Sequence, residues 1–329
     1  VKGNITNRNL MEDLVSQCDA VVNFAAESFV DRSISDPNPF LVSNIRGTFT
    51  LLETIKSTKK RFIQISTDEV YGSLKDQSAD ESFRFNPSSP YAATKAAAEH
   101  LVNSYVLTYD CDCIITRCTN NYGPRQFPEK LIPKTILLAK QNKKIPVYGD
   151  GKNIRDWLFV DDHCDAITQA LLNGKTGESY NIGGDNEWPN LRVVETICDL
   201  VDKQLNRPTG TARELITFVK DRPGHDFRYA IDAGKIRRQR APFRNMFDTT
   251  NQFLIGRIIG INHGAAFEVV AVDDEINVVA PERRLRSDRF AGWRLPRHWP
   301  RGALWQRGAV LLCPTKEPNV INDILFNRL

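Results

Sequence analysis

Short strand-like runs alternate with long helical patterns over the first part of this 329-residue chain. Residues 19–26, 61–66 and 112–118 are apolar, rich in β-formers and short enough to be buried strands. Residues 38–58 and 90–109 separate them and repeat apolar side chains at helical spacing. Because helices connect parallel neighbouring strands, this alternation predicts an α/β protein with a doubly wound, Rossmann-like parallel sheet.

Each predicted strand ends in small or polar residues. These ends are residues 25–28, 67–69 and 119–121. In open parallel sheets, ligands bind beyond the carboxyl ends of the strands, so we expect the three segments to face one cleft. After residue 123, shorter elements separated by Gly and Pro predict a smaller α/β region that caps this cleft. It includes a strand ending near residues 180–184 and a helix over 190–206.

Tyr91 and Lys95 stand four residues apart on a predicted helix, so both side chains share one face. An ammonium group near a phenol favours the phenolate, which predicts a lowered pKa for Tyr91. A phenolate can take the proton of a substrate hydroxyl while hydride leaves the same carbon for a nicotinamide. Thr67 can share a hydrogen bond with that hydroxyl. A Tyr-x-x-x-Lys pair also occurs by chance on many helices, and the upstream Thr67 favours the redox interpretation.

Asp68 and Glu69 directly follow Thr67. Oxidation alone needs no second acid and base, whereas elimination of water needs one group to remove a proton and another to protonate the leaving hydroxyl. Two carboxylates can divide these roles if their surroundings separate their pKa values. The structural alternative is an acidic turn exposed to solvent. The pair therefore favours sugar oxidation combined with elimination.

Several motifs fall in the same order as in a known family. They are Thr-Asp-Glu-Val-Tyr-Gly at 67–72, Tyr-x-x-x-Lys at 91–95, Asn-Asn-Tyr-Gly-Pro at 120–124, Phe-Pro-Glu-Lys-Leu-Ile-Pro at 127–133, Ile-Arg-Asp-Trp at 154–157 and Asp-Arg-Pro-Gly-His-Asp at 221–226. The chain resembles, from residue 1 to about 236, the dTDP-glucose 4,6-dehydratases. These are extended short-chain dehydrogenases/reductases of deoxysugar (rhamnose) biosynthesis.

The resemblance implies a three-step reaction. Tyr91, helped by Lys95 and Thr67, would take the C4 hydroxyl proton as NAD accepts the C4 hydride. Glu69 would then remove the C5 proton, and Asp68 would protonate the departing C6 hydroxyl. Return of the hydride to C6 would regenerate NAD. Another NAD-dependent dehydratase or epimerase, such as one acting on UDP-glucose, stays open because no residue sets the base preference.

The resemblance also implies binding residues and a partner. It places the NAD-binding residues at Phe24, Ala25, Ala26, Glu27, Ser28, Ser43, Tyr91, Lys95 and Asn121. The nucleotide sugar would contact Ser28, Asn120, Lys130, Leu131, Pro146, Tyr148, Arg155, Asn190, Arg222 and His225. Arginine suits this role because guanidinium matches diphosphate oxygens. A homodimer would form through the helices over 38–58 and 90–109.

The chain departs from the family pattern in two places. No glycine-rich turn precedes residues 19–26, so the NAD-binding domain over 1–122, to which 154–172 return, is expected to lack its first βαβ unit. We expect weak NAD binding and an exposed sheet edge. Residues 123–235 would bind the nucleotide sugar. Residues 236–329 are rich in Arg, with Lys316 as the only lysine, which indicates a frameshifted or fused tail. An inactive remnant or a non-catalytic binding protein is the alternative.

The remaining features point to a cytoplasmic protein. The chain begins with no signal-peptide pattern and contains no apolar run of membrane-spanning length. Its 7 cysteines form no Cys-x-x-Cys pair, so we expect free thiols and no metal; Cys111, Cys113 and Cys118 fit a buried strand better than a site with His163. Strands are expected near 267–272 and 276–280. The Arg- and Trp-rich stretch 281–309 carries no nucleic-acid-binding motif, and no such partner is predicted.

Overall fold

The structure is a computed structural model that describes residues 1, 3–124 and 126–238. Beyond these it describes three strands, and of those only the backbone. Most of the predicted tail over 236–329, including 281–309, lies outside the described residues. Contacts divide the chain into one unit of residues 1–251 and 307–329 and another of residues 252–306. In the second unit, Glu268–Val272 pairs antiparallel with Glu275–Val279, which confirms the two strands expected there.

Helices and strands alternate along the first unit as the sequence predicts. The helices are α1 Arg8–Ser16, α2 Val30–Ser35, α3 Asn38–Phe40, α4 Thr48–Thr58, α5 Pro90–Tyr109, α6 Leu131–Lys140, α7 Val160–Asn173, α8 Asn190–Gln204 and α9 Gly234–Arg238. The strands are β1 Ala20–Asn23, β2 Arg61–Thr67, β3 Cys113–Cys118, β4 Asn120–Tyr122, β5 Ile145–Tyr148, β6 Ile154–Phe159, β7 Ser179–Ile182, β8 Glu187–Pro189 and β9 Ile216–Val219, followed by β10 Glu268–Val272, β11 Glu275–Val279 and β12 Val310–Cys313.

The central sheet has the order β12-β1-β2-β3-β7. The last four strands run parallel, which confirms the doubly wound α/β fold. β12 instead runs antiparallel to β1, with Ala20 opposite Cys313. The expectation of an exposed sheet edge beside β1 is therefore wrong, because β12 supplies hydrogen-bonding partners to the backbone of β1.

Alternate residues of each central strand face opposite layers, as the period of a β-strand requires. Phe62 and Ile115 are buried against α1, α4 and α5, whereas Ile63 and Ile114 are buried against α7 and α9. Burying a side chain of this size stabilises the fold by roughly 1.5–3 kcal/mol. Because helices cover both faces of the central sheet, its strands are continuous apolar runs in the sequence.

The predicted helix over 38–58 is present but not regular. Between α3 and α4, residues Leu41–Gly47 form a π-helical segment, a feature often found at functional sites. Asn44 lies within it and is 2% exposed. The wider turn at this point carries the Asn44 side chain towards the loop that follows β1.

The first unit also contains two small sheets. One has the order β4-β6-β8 and the other pairs β5 with β9. β7 lies within the range predicted for nucleotide-sugar binding but joins the central sheet. The division at residues 122 and 123 stays a prediction. Among the described residues, no helix is long and apolar enough to cross a membrane.

His163 on α7 should make stability depend on pH. It is 2% exposed, neither ring nitrogen has a hydrogen-bond partner in the described part of the chain, and burial lowers its pKa from 6.5 to about 4. As the pH falls from about 6.5 towards 4, the unfolded chain binds a proton that the folded protein does not. The free energy of unfolding should therefore fall by up to about 1 kcal/mol per pH unit in this window.

Urea unfolding at pH 7 and pH 5 measures this effect. The wild type should lose more stability between the two values than His163→Leu. The exposed His100 offers a matched control, and His100→Leu should lose as much as the wild type. Equal losses in the wild type and His163→Leu would contradict the prediction.

Candidate active site

The carboxyl end of β2 carries the predicted hydroxyl and both carboxylates. Thr67 ends the strand in extended conformation, and its Oγ1 accepts a hydrogen bond of 3.3 Å from the Glu69 amide. This cap starts a single 3₁₀ turn, Asp68–Tyr71. The Thr67 hydroxyl also donates to Asp68 Oδ1 at 3.1 Å. The turn therefore fixes both acidic side chains at the strand end.

Helix α5 presents Tyr91 and Lys95 to the same place. Its first turn is stabilised by Pro90 and by the Ser89 hydroxyl, which accepts from the Ala92 amide at 3.1 Å. Tyr91 is 8% exposed and Lys95 is 5% exposed. Lys95 Nζ donates to the Ile65 carbonyl of β2 at 2.6 Å, and burial lowers its pKa to about 8. The ammonium group is thus tied to the strand that ends in Thr67.

The predicted lowering of the Tyr91 pKa is wrong. Burial raises it well above 10, and the negative charge of Glu69 adds to the effect. A hydrogen bond with Thr67 acts in the opposite direction. In this structure Tyr91 is a neutral phenol whose hydroxyl lies beside that of Thr67.

The environments of Asp68 and Glu69 differ. Burial and the neighbouring Glu69 raise the pKa of Asp68 well above its usual value, and its Oδ2 has no hydrogen-bond partner within the described residues. Burial also raises the pKa of Glu69, but Arg222, Arg155 and Lys130 act against this rise. Asp68 therefore favours the protonated form and Glu69 is nearer to cations, which is the division that an acid and a base require.

Tyr229 belongs to this cluster and was missed by the sequence analysis. It is 3% exposed, and its hydroxyl lies 2.8 Å from Asp226 Oδ2 and 3.3 Å from Glu69 Oε2. The Arg155 guanidinium stacks 4.2 Å from the centre of the Tyr229 ring. Tyr229 follows the predicted motif by only three residues, but no spacing rule connects it to a glutamate 160 positions away.

Arg155 is more enclosed than its predicted role suggests. It is 5% exposed and donates to the carbonyls of Ile154 at 2.7 Å and Asp226 at 2.9 Å. These bonds hold the segment that carries Asp226 and Tyr229. Contact of Arg155 with a diphosphate stays a prediction.

Several polar residues predicted to bind the nucleotide sugar lie close to one another. Tyr148 packs edge-on against His225, with ring centres 6.1 Å apart. His225 Nδ1 lies 2.6 Å from Asp221 Oδ1. The Arg222 guanidinium lies 3.9 Å from Asp31, and Lys130 Nζ donates to the Ser28 carbonyl at 3.3 Å. Burial and the charge of Arg222 together lower the pKa of His225.

Asn44 connects the loop after β1 to helix α5. Its Nδ2 donates to the Glu27 carbonyl at 3.1 Å and to Thr94 Oγ1 at 2.9 Å, while its Oδ1 accepts from the Glu27 amide at 2.9 Å. Thr94 stands between Tyr91 and Lys95 on α5. Sequence analysis named its neighbour Ser43 and missed Asn44.

The other residues predicted to bind NAD or the nucleotide sugar lie on separate strands and helices. Phe24, Ala25 and Ala26 follow β1, Asn120 and Asn121 form β4, Leu131 begins α6, Pro146 lies in β5, and Asn190 begins α8. The structure thus brings Thr67, Asp68, Glu69 and Tyr91 into direct contact or charge interaction. The binding roles of the other residues stay predictions.

A buried ion pair is hydrogen-bonded to the end of the Asp68–Tyr71 turn. Arg117 on β3 and Glu99 on α5 are joined at 2.7 Å, with side chains 4% and 0% exposed. Arg117 Nη1 also donates to the Tyr71 hydroxyl at 2.6 Å, and Tyr71 donates to Asn181 Oδ1 at 2.9 Å. Tyr71 ends the turn that begins with Asp68, so this network fixes the far end of the turn.

The residues at the strand ends fit the nicotinamide half of NAD. The Tyr91 hydroxyl and Lys95 ammonium are donors suited to hydroxyl and amide oxygens, and Ala25 and Ala26 leave the backbone after β1 uncovered by long side chains. Asn121 Oδ1 is buried and has no hydrogen-bond partner in the described part of the chain. An unsatisfied buried acceptor suits the amide donor of a bound ligand.

A doubly wound sheet with a Tyr-x-x-x-Lys helix at its carboxyl edge defines the short-chain dehydrogenase/reductase class. Residues 1–240 match the sequence profile of the family described as GDP-mannose 4,6 dehydratase. The chain belongs to this family.

Several proteins similar to this chain share one name. It is 55% identical over 235 residues to a dTDP-glucose 4,6-dehydratase of Neisseria gonorrhoeae, covering 67% of this chain and 68% of the relative. A dTDP-glucose 4,6-dehydratase of Streptomyces venezuelae solved with NAD bound is 39% identical, with a TM-score of 0.72 over 79% of this chain and 78% of that one. The enzyme of the same name from Bacillus anthracis, in complex with NAD, is 41% identical with a TM-score of 0.67 over 79% and 78% of the two chains.

Proposed function

We propose that this protein dehydrates dTDP-glucose to dTDP-4-keto-6-deoxyglucose with NAD as cofactor. The observation that carries the proposal is the meeting of a buried carboxylate, Asp68, and a partly buried one, Glu69, with Tyr91 and Lys95 at one strand end. A reductase or dehydrogenase needs only the pair Tyr91 and Lys95, and not the two carboxylates. Relatives named for this reaction support the same substrate.

Tyr91 acts in the oxidation step. When bound, NAD supplies the acceptor for the C4 hydride. Tyr91 acts as the phenolate, having released its own proton to solvent before the step, and takes the proton of the C4 hydroxyl, which Thr67 orients through a shared hydrogen bond. The raised pKa of Tyr91 makes the phenol a strong base once it has lost its proton. Lys95, whose Nζ donates to the Ile65 carbonyl, would bind hydroxyl groups of the cofactor.

Asp68 and Glu69 act in the elimination step. Glu69, nearer to the cations Arg222, Arg155 and Lys130, is the base that removes the C5 proton. Asp68 retains its proton because of burial and donates it to the departing C6 hydroxyl. The released water consists of the C6 hydroxyl group and the proton from Asp68. Return of the hydride to C6 and of the Glu69 proton to C5 would then give the 6-deoxy product. Glu69 and Tyr229 share a hydrogen bond that orients the base.

Incubation with dTDP-glucose and added NAD tests the proposal. We expect a 4-keto-6-deoxy product, which absorbs strongly in base. UDP-glucose tested in parallel decides the base preference, and turnover of UDP-glucose alone would assign the second candidate substrate. No product from either sugar would contradict the proposal and favour the non-catalytic remnant.

We also propose that the enzyme works in the cytoplasm and supplies deoxysugar, including rhamnose, biosynthesis. The six cysteines in the described residues carry free thiols, which suits a reducing compartment. Product accumulation in cells that lack the subsequent reductive steps would support this assignment. Residues 123–235 are proposed to hold the nucleotide sugar. Within this region, Arg222, His225 and Tyr148 are proposed to contact it.

A homodimer through the helices over 38–58 and 90–109 is proposed as well. Leu41, Phe49 and Leu107 on these helices are 46%, 45% and 86% exposed. Grouped exposed apolar side chains are a mark of protein interfaces. We expect the wild type to sediment as a dimer and the double variant Phe49→Glu/Leu107→Glu as a monomer. Leu205→Glu, at an exposed apolar residue outside these helices, should remain dimeric; a monomeric wild type would contradict the proposal.

A further inference from the structure

Asp31 is a carboxylate in the nucleotide-binding part of the site with no part in the proposed reaction. It is the second residue of α2, and its side chain is 34% exposed. Its Oδ1 lies 3.9 Å from the Arg222 guanidinium, and its Oδ2 accepts a hydrogen bond from the Tyr148 hydroxyl at 3.4 Å. It therefore contacts two residues that are proposed to bind the nucleotide sugar.

The interaction of Asp31 with Arg222 is weak enough to be replaced. At 3.9 Å it is an ion pair without a hydrogen bond of ordinary length. The Arg222 Nε is buried and has no hydrogen-bond partner among the described residues. The guanidinium thus keeps donors for an anion, and a diphosphate can engage them with short, charge-assisted hydrogen bonds.

A diphosphate bound to Arg222 would place its negative charge close to Asp31. Lys130 is a further cation near this place: burial lowers its pKa, and the charges of Glu69, Glu129 and Asp31 act against that fall. Carboxylates therefore already lie close to these cations before any anion binds. Each carboxylate that remains charged reduces the net attraction for the diphosphate.

We propose that Asp31 weakens binding of the nucleoside diphosphate group. In the free protein it orients Arg222 and Tyr148, and in the complex it repels the diphosphate and speeds release of the diphosphate-linked product. This inference rests on the proposed function, from which it takes the diphosphate as the ligand of Arg222.

Calorimetric titration of wild type and Asp31→Asn with dTDP and with thymidine tests the inference. Asparagine keeps an acceptor for Tyr148 but removes the charge. The dissociation constant for dTDP should fall about two- to fivefold, as expected for loss of a partly exposed charge interaction. That for thymidine should not change, and the gain for dTDP should shrink at high salt. In turnover, KM should fall while kcat does not rise.

Asp36→Asn is the matched control, because it removes the same charge just beyond the end of the same helix. An equal gain in Asp36→Asn would show a general field effect and overturn the inference. Unchanged or weaker dTDP binding by Asp31→Asn, reproduced in Asp31→Ala, would overturn it as well. Absence of dTDP binding by the wild type would contradict the proposed function itself, and the inference with it.

Discussion

Replacing Glu69 by glutamine (Glu69→Gln) is expected to lower the rate of product formation by about 10²–10⁴-fold, the range that general acid–base groups contribute. Glutamine keeps the size and the hydrogen bond to Tyr229 but cannot accept the C5 proton. The oxidation step uses Tyr91, Thr67 and Lys95 and should continue. The variant should therefore form the reduced cofactor with substrate present, but not exchange the C5 hydrogen with solvent.

Two measurements separate these steps. Ultraviolet absorbance of the reduced nicotinamide follows oxidation, and incorporation of deuterium from heavy water at C5 follows proton removal. Glu12→Gln makes the same chemical change at an exposed residue of α1, whose ion pair within the described residues is with Arg8, and should keep full activity. Full turnover by Glu69→Gln would refute its assignment as the base. Loss of oxidation as well would move Glu69 into the first step.

Replacing Arg117 by methionine (Arg117→Met) is expected to destabilise the protein by roughly 3–5 kcal/mol, because it leaves Glu99 charged and unpaired in the interior. Glu99 is fully buried, and its carboxylate meets Arg117 at 2.9 Å and 2.7 Å. A cost of this size is a large share of the stability of an ordinary domain. Loss of the bond from Arg117 to Tyr71 should also loosen the turn that carries Asp68 and Glu69.

The double variant Arg117→Met/Glu99→Leu distinguishes two causes of instability: an unpaired buried charge and a change in side-chain packing. Replacing both partners by apolar side chains removes the unpaired charge, so much of the stability should return. Arg213→Met breaks a partly exposed pair with Asp199 and should cost no more than about 1 kcal/mol. Urea unfolding measures all three. An Arg117→Met protein within 1 kcal/mol of the wild type would contradict the prediction.

Local patterns in the sequence were sufficient for most of the fold. The alternation of strands and helices predicted the parallel sheet, and α5 begins and ends within the predicted bounds of 90–109. Helical spacing also placed Tyr91 and Lys95 on one face. These features depend on residues close together in the chain, and backbone geometry repeats over such distances in a regular way.

Electrostatic properties could not be predicted in the same way. The sequence places a lysine near Tyr91, but burial outweighs it and raises the pKa of the phenol. Which carboxylate favours the proton depends on Arg155 and Arg222, which come to Glu69 from distant parts of the chain. Burial and charge contacts of this kind depend on the packed structure, and no short motif encodes them.

The sequence by itself therefore determined the fold class, the family resemblance and the hydroxyl, carboxylates, phenol and amine that are the candidate catalytic groups. Only the tertiary structure decided which other groups surround them. It brought Tyr229 and Asp226 to Glu69, joined Asn44 to the loop after β1, joined Arg117 to Tyr71 at the end of the turn and placed Asp31 against Arg222. The physical reason is range: periodicity acts between neighbouring residues, whereas these contacts form between residues far apart in the chain and exist only when the sheet and its surrounding elements pack together.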